Sequence, residues 1–408
     1  MPPTPTDAPI SDVLVVGAGY AGVHAARAAR VFGASVTLLD PTGSHQLATR
    51  LAGVAAGAAP VGDGWAPVGV LLPRVRVQAN AVTSLVEHDD RVEVLDDAGR
   101  LHTARAVVLT AGARPEVPDL PGVAEHTLPL RTVADALRIR QAVERGPANV
   151  VVVGGGATGV QVAGEVADTH PDTRVTLLEA GPRLLPDLPR SLGRHARAVL
   201  RRRGVDVVLG TGVTRVDEDG AWTGEELRPG LVVWATGFAA DATTLLPGAV
   251  TSRGRLAVDE HLRVVGRRRV LAAGDVAAHR DVLGRPLPMS AQVATRAGDV
   301  AGRNAAGVAA DDGRALRTAR LVDLGWVITL GGGTGVAQVG PLRLAAPLVD
   351  RVVPLLHDAI DVRHLWQVGG LSGVVGHAPG RNEPAPADVR RVERPGLRAM
   401  ADPDAPTG

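Results

Sequence analysis

Two stretches of the chain, residues 13–40 and 149–179, share one grammar, and that repetition limits the fold more than any other feature. The first, VLVVGAGYAGVHAARAARVFGASVTLLD, opens on four consecutive apolar residues, as a strand buried on both faces does. Gly17, Gly19 and Gly22 follow at Gly-x-Gly-x-x-Gly spacing. A helix-length run (24–32) and a second apolar strand (36–39) come next, and the strand ends on Asp40. The second stretch, NVVVVGGGATGVQVAGEVADTHPDTRVTLLE, places Gly154, Gly156 and Gly159 in its turn and Glu179 at the end of its second strand. Each reads as a βαβ unit holding a dinucleotide. The first glycine permits the tight turn, and the second lets backbone amides approach the pyrophosphate. The third lets helix and strand pack closely, and the acid about twenty residues on accepts from a ribose hydroxyl. The phosphates sit at the helix N-terminus, where free N–H groups and the helix dipole favour an anion. In a chain with 50 glycines a single match carries little weight. Two complete units a domain apart imply two dinucleotides.

Composition narrows the chemistry. A chain of 408 residues suggests two or three domains. Its 44 basic and 43 acidic residues nearly cancel and aromatics are only 2%, so no nucleic-acid partner is expected. Without cysteine, the chain forms no thiol nucleophile, redox disulfide, thiolate zinc site or iron–sulfur cluster. Every basic residue is arginine, and the absence of lysine removes Walker-type loops and Schiff-base catalysis. No metal site is expected. The opening MPPTPTDAPISD lacks the basic and apolar regions of a signal peptide, and no run approaches roughly eighteen uninterrupted apolar residues. The expectation is a soluble cytoplasmic protein, at most attached to the inner face of a membrane.

Along the chain, residues 45–59 read as a packed helix, or else as the flank of a flavin pocket with Arg50 facing a phosphate or the ring. Short strands are expected at 74–78, 81–87 and 91–95, and a buried strand at 105–110 runs into TAGARP. Residues 130–144 read as an amphipathic helix entering the second domain, which continues through strands at 205–209 and 231–233 to WATGF. A buried strand within 255–277 closes on Gly274 and Asp275, where an acid is placed to take a ribitol hydroxyl. Ser290 is a plausible N-cap for a helix over 291–306. Aimed at a flavin, that N-terminus would stabilise negative charge on the reduced ring. Residues 331–335 lack a following helix and any lysine, so a hairpin turn is expected there. A helical segment near 347–366 precedes a tail rich in Pro, Arg and Asp, expected to be disordered.

With both glycine turns, the segments GARPEVPDLPG, HTLPLRTVADALRIR, WATGF, AAGDVA and LPMSAQ stand in order. On these motifs the chain resembles the pyridine-nucleotide-dependent FAD oxidoreductases, most closely the type II NADH dehydrogenases (NADH:quinone oxidoreductases). It is also similar to their apoptosis-inducing-factor-like relatives. The likeness spans about residues 13–330 and implies an α/β fold with two Rossmann-like dinucleotide-binding domains. The NAD(P) domain (130–251) would be inserted into a discontinuous FAD domain (1–129 and 252–320). A small C-terminal region (321–377) and the tail (378–408) would follow. By resemblance, Gly17, Gly19, Gly22 and Asp40 hold the FAD adenosine and pyrophosphate. Val82 lies at the adenine, and Gly112, Gly274 and Asp275 flank the rest of FAD. Gly154, Gly156, Gly159, Glu179 and Gly237 serve the nicotinamide nucleotide. Ala291 and Gln292 begin an AQxxxQ quinone motif, which sets Gln292 between flavin and quinone.

Two departures bear on the acceptor. The second Gln of that motif is Arg296, and the Glu that normally follows the second turn is Gln161, which has no titrating proton. Facing the flavin, Arg296 would favour polar acceptors and short-tailed quinones with weak dependence on lipid; facing solvent, it would change nothing. Gln161, Gln292 and Arg296 are therefore the candidate catalytic positions. The relatives' apolar C-terminal membrane helices are weak here, because Asp350, Arg351 and Pro354 interrupt 348–356. A packed or dimerising helix is the other reading, so a homodimer stays open beside peripheral membrane contact.

The expected reaction moves a hydride from NADH to non-covalent FAD and then two electrons to an acceptor, foremost a quinone. A reductase of a small redox protein such as ferredoxin, and a slow-turnover NAD(H)-responsive interaction protein, are the other readings. Branches of the family that need cysteines are excluded. NADPH is expected to bind less well than NADH, because Glu179 repels a 2′-phosphate. Arg183, four residues on, is close enough in sequence to offset that.

Overall fold

Two parallel sheets form around the two repeated units. The computed structural model describes residues 10–240, 242–345 and 352–376, together with residue 389 and the backbone of the short strand Thr4–Pro5. In the first sheet, strand Ser11–Val16 lies parallel between Val36–Leu39 and Arg100–Leu109, with Arg76–Gln78 beyond Val36–Leu39. Val13, Val15, Leu38 and Val108 have no exposed surface, which is why these strands read as unbroken apolar runs.

The strand Arg100–Leu109 is shared. Its first half pairs antiparallel with Val92–Asp96, which in turn pairs with Val82–Glu87. Its second half pairs parallel with Val270–Ala272. Only the buried second half gives the apolar run expected at 105–110; the first half alternates buried and exposed positions and escapes a run-based reading. Because Val270–Ala272 returns to the first sheet after the second has been completed, the second unit is an insertion.

The second sheet runs Thr127–Pro129, Leu231–Trp234, Asn149–Val153, Arg174–Glu179, Asp206–Leu209, all parallel. The preceding helix starts at Val133, where Thr132 and Asp135 form a capping box, and ends at Glu144. Residues 45–59 are not one helix. Ser44–Gln46 is a strand paired with Trp65–Pro67, and only Leu51–Ala56 is helical, stopped by Gly57 in the left-handed region.

Ser290 caps the helix Ala291–Ala310, its hydroxyl accepting from Val293 N. The helix runs four residues past 306 because the Ala/Gly sequence continues to Asp311. It lies directly on the first glycine-unit helix, Tyr20–Val31. A Cβ on Gly298 or Gly302 would approach the carbonyl oxygens of Ala21 or Ala25 to 2.3 and 2.1 Å. Gly325–Thr329 and Gly335–Val339 form the expected hairpin, extended by Leu342–Leu344. The last described helix, Val352–Gly376, runs beyond 366 and is interrupted at Gly370. Apart from residue 389, the tail from 378 lies outside the described residues. Among the described residues no helix is long and apolar enough to cross a membrane.

Candidate dinucleotide sites

The two glycine turns match in detail. Gly17 and Gly154 have φ of +98° and +110°, and a Cβ on either would meet the carbonyl oxygen of Thr110 at 2.6 Å or Ala235 at 2.4 Å. A Cβ on Gly22 or Gly159 would lie 1.9 or 1.8 Å from the carbonyl oxygen of Gly17 or Gly154. The protein's own packing demands glycine at these four positions.

Gly19 and Gly156 differ. They precede the helices Tyr20–Val31 and Ala157–Thr169, and a Cβ on either would meet nothing within 4 Å. Neither helix start carries a side-chain cap, whereas Thr132 and Ser290 cap theirs. First-turn N–H groups are thus left facing open space at both turns. A group that approaches the backbone closely and carries negative charge supplies the missing reason, and the diphosphates of FAD and of NADH fit it.

Asp40 and Glu179 each clasp their own turn. Asp40 accepts from Ala18 N (2.9 Å) and from the amide and hydroxyl of Thr42. Glu179 accepts from Gly155 N and Gly181 N, both at 2.6 Å. Each carboxylate therefore sits at its turn, one helix-length from the glycines in sequence. Arg183 is not free to swing toward Glu179: its guanidinium donates to the carbonyls of Leu188 (2.7 Å), Leu185 and Pro186.

Gly112, Gly274 and Asp275 meet at the ends of two neighbouring first-sheet strands. Arg131 gathers them: it donates to Ala113 O, lies 3.6 Å from the Asp275 carboxylate, stacks over Phe238, and stands 3.1 Å from where a Gly112 Cβ would be. Burial raises the Asp275 carboxyl above its ordinary range, although Arg131 and Arg255 pull it back in part. His279 accepts from Gly274 N, and burial pushes it down to about 3, so it is neutral with its proton on Nδ1. That buried N–H has no partner among the described residues. Gly237, with φ +132°, accepts from Glu116 N at the crossover between the sheets, where Arg114–Pro115 pairs with Phe238–Ala239. Val82 starts its strand partly buried against the core of Leu14, Val16 and Leu39. Sequence reasoning missed Arg131 and His279. Arg131 stands inside the segment HTLPLRTVADALRIR and His279 two residues past AAGDVA, but nothing in their spacing announces a contact with Asp275 or Gly274.

The acceptor-side candidates separate. Gln161 donates to the Thr329 hydroxyl of the C-terminal hairpin (3.3 Å). One helical turn on, Glu165 bonds the same hydroxyl and the Gly331 backbone, and burial raises its carboxyl. Gln292 is fully engaged by residues 323–325: it donates to Asp323 and Gly325 O and accepts from Leu324 N. Arg296 donates to Val322 O and lines an open groove of about 610 Å³ with Asp299, Arg317 and Arg320. Arg50 has a different partner from the phosphate or ring considered above. It forms ion pairs with Asp358 (2.7 Å) and Asp361 (2.5 Å) of the C-terminal helix.

Two glycine-turn units on separate parallel sheets, the second in a segment inserted before Val270–Ala272 returns to the first sheet, define a two-dinucleotide α/β oxidoreductase fold. The pattern of the pyridine nucleotide-disulphide oxidoreductase family matches residues 11–298, and the chain belongs to that family. A type II NADH:quinone oxidoreductase of Staphylococcus aureus is 27% identical over 88% of this chain and 96% of that protein. Among solved structures, NDH2 from Plasmodium falciparum in complex with NADH superposes with a TM-score of 0.75 at 15% identity. It covers 94% of this chain and 98% of that one. A ferredoxin reductase from Rhodopseudomonas palustris superposes at 0.66 and 20% identity, over 76% of this chain and 78% of that one.

Proposed function

We propose that the chain is an FAD-dependent NADH:quinone oxidoreductase, with FAD on the first glycine unit and NADH on the second. The observation that carries this reading is the pair of uncapped helix starts at Gly19 and Gly156, each opening on space no side chain fills. When bound, FAD takes a hydride from the nicotinamide and passes two electrons onward. The chain's own part is binding, orientation and proton supply. First-turn amides hold the diphosphates, Asp40 and Glu179 accept from ribose hydroxyls, and Arg131 orients Asp275 toward the ribitol.

A quinone needs protons as well as electrons. Gln161 orients by hydrogen bonding to the Thr329 hydroxyl, and Glu165, one turn on and raised by burial, is the titratable group beside it that can exchange a proton. Arg296 turns to the groove at Val322, which removes the motive for a polar acceptor. Leu355, Val362 and Trp366, at i, i+7 and i+11, are exposed on one face of the C-terminal helix. This surface supports peripheral contact with a membrane that carries the quinone; a second copy of the chain is the alternative occupant.

Steady-state NADH oxidation with short- and long-tailed ubiquinone and menaquinone analogues, oxygen and ferredoxin tests the reading. Quinones should give the highest kcat/KM, increased by liposomes for long tails. A faster rate with ferredoxin or oxygen than with every quinone would overturn it.

A further inference from the structure

Three buried imidazoles run from the first glycine turn to the surface. His45 Nδ1 lies 2.8 Å from the carbonyl oxygen of Ala18, and its Nε2 lies 2.8 Å from His364 Nε2. His364 Nδ1 lies 3.3 Å from His24 Nε2, and His24 Nδ1 lies 3.1 Å from Asp299 Oδ1. The groups come from four elements: strand Ser44–Gln46, the C-terminal helix, helix Tyr20–Val31 and helix Ala291–Ala310. Tyr20 packs its ring against His45 and His364.

The partners at the two ends fix where the protons sit. A carbonyl only accepts, so His45 carries a proton on Nδ1. Neutral His45 then accepts at Nε2, and His364 donates there. Neutral His364 accepts at Nδ1, and His24 donates there. Neutral His24 would then turn a bare lone pair toward Asp299, whose ionised carboxylate also only accepts. Four contacts need four protons, and three neutral imidazoles hold three. Closing every contact requires one proton more than three neutral imidazoles carry.

We propose that His24, His45, His364 and Asp299 form a one-proton latch that holds the C-terminal helix against the first glycine unit. With the extra proton bound all four contacts close; as pH rises and the proton leaves, the ionised Asp299 keeps the His24 Nδ1 proton and the missing proton falls on a contact of His364, the residue that ties the C-terminal helix to the array. Desolvation and the two flanking imidazoles push His364 down to about 2, so the extra proton does not rest there. Burial raises the Tyr20 phenol, which stays neutral, and burial lowers His357 on the C-terminal helix. On that helix Asp358 and Asp361 are paired with Arg50, and Asp299 shares its groove with Arg296, Arg317 and Arg320. The arginines keep their charge throughout the working range.

The latch rests on no nucleotide assignment, and hydrogen exchange tests it on the full chain as purified with its flavin. Between about pH 5 and pH 8, where imidazoles titrate, protection of residues 352–376 is measured and corrected for the intrinsic exchange rate. Protection should fall about tenfold as pH rises, the equivalent of one charge-assisted hydrogen bond. Helix Ala157–Thr169 should not change. Asp299 is half exposed, so its variants keep the fold. Asp299→Asn supplies an N–H to neutral His24 and closes all four contacts without an extra proton; its protection should be high and independent of pH. Asp299→Leu should be equally flat but lower. A flat wild-type profile, or an Asp299→Asn slope equal to that of wild type, would overturn the latch.

Discussion

The two glycine turns repeat each other in what faces the ligand and differ in what supports them from behind. In both, the first and third glycines are demanded by backbone carbonyls, and the second opens on unfilled space. In both, a carboxylate clasps the amide that follows the first glycine. The carbonyl of that same residue is held differently. Ala18 O accepts from the His45 imidazole, whereas Gly155 O accepts from the Leu185 backbone amide at 2.8 Å. The first turn is thereby tied to the C-terminal helix through an imidazole chain, whereas the second is held by a backbone amide of its own domain. A repeated motif thus fixes the ligand-facing geometry twice while leaving each domain its own means of holding it.

Substitutions separate the shared part from the divergent part. The largest effect belongs to Gly22→Ala and Gly159→Ala, whose new methyl groups would sit under 2 Å from a carbonyl oxygen. Each should cost more than about 4 kcal/mol, seen as insoluble protein or loss of the urea transition. Gly19→Val and Gly156→Val place their side chains in open space, so both should fold. Gly19→Val should then lose flavin by about a hundredfold in affinity, near 2.7 kcal/mol, and be purified colourless. Gly156→Val should stay yellow while its KM for NADH rises about tenfold or more. If Gly19→Val keeps its colour, the first turn does not hold FAD.

Next comes cofactor choice. Glu179→Gln removes a charge that a 2′-phosphate would meet. At about 4 Å and an effective dielectric near 20 such a pair interacts by roughly 4 kcal/mol. After solvent screening the NADH-over-NADPH ratio of kcat/KM should fall about ten- to hundredfold. Arg183, engaged by three carbonyls, leaves that repulsion unopposed. Equal ratios in wild type and variant would remove Glu179 from this role.

The smallest effect concerns Asp275. Its carboxyl is raised in the folded protein by burial, so ionisation works against the flavin-free fold. Stability is lost as pH climbs from the unfolded value, about 3.9, through the raised folded one. Asp275→Asn should therefore raise the Tm of flavin-free protein at neutral pH, by about 2–4 °C for each kcal/mol relieved, while flavin retention falls. A lower Tm would mean that Arg131 and Arg255 more than offset the burial.

The strands at the heart of both sheets were legible in the sequence because burial on both faces removes alternation, as at Val13–Val16 and Val150–Val153. The presence of two dinucleotide units was legible because the grammar repeats; that the second is inserted into the first domain came only with the family resemblance. The strand Arg100–Leu109 was half legible, since its first half serves an antiparallel ribbon and alternates. The run 45–59 misled because its Ala/Gly content suits a helix, while pairing with Trp65–Pro67 claims its first residues for a strand. Glu165 was within reach: its spacing of four from Gln161 puts both on one helix face. Arg50 was not, because Asp358 and Asp361 lie some three hundred residues away, and only the docked C-terminal helix brings them together. The array of His24, His45 and His364 with Asp299 was hidden for the same reason.

The most direct test of the central claim is an anaerobic titration of the purified protein followed by its visible flavin spectrum. The released chromophore should weigh as FAD. One equivalent of NADH should bleach the band, and one equivalent of a quinone should restore it. A protein that holds no flavin after reconstitution, or a flavin band that NADH leaves unchanged, would contradict two dinucleotides meeting in one fold.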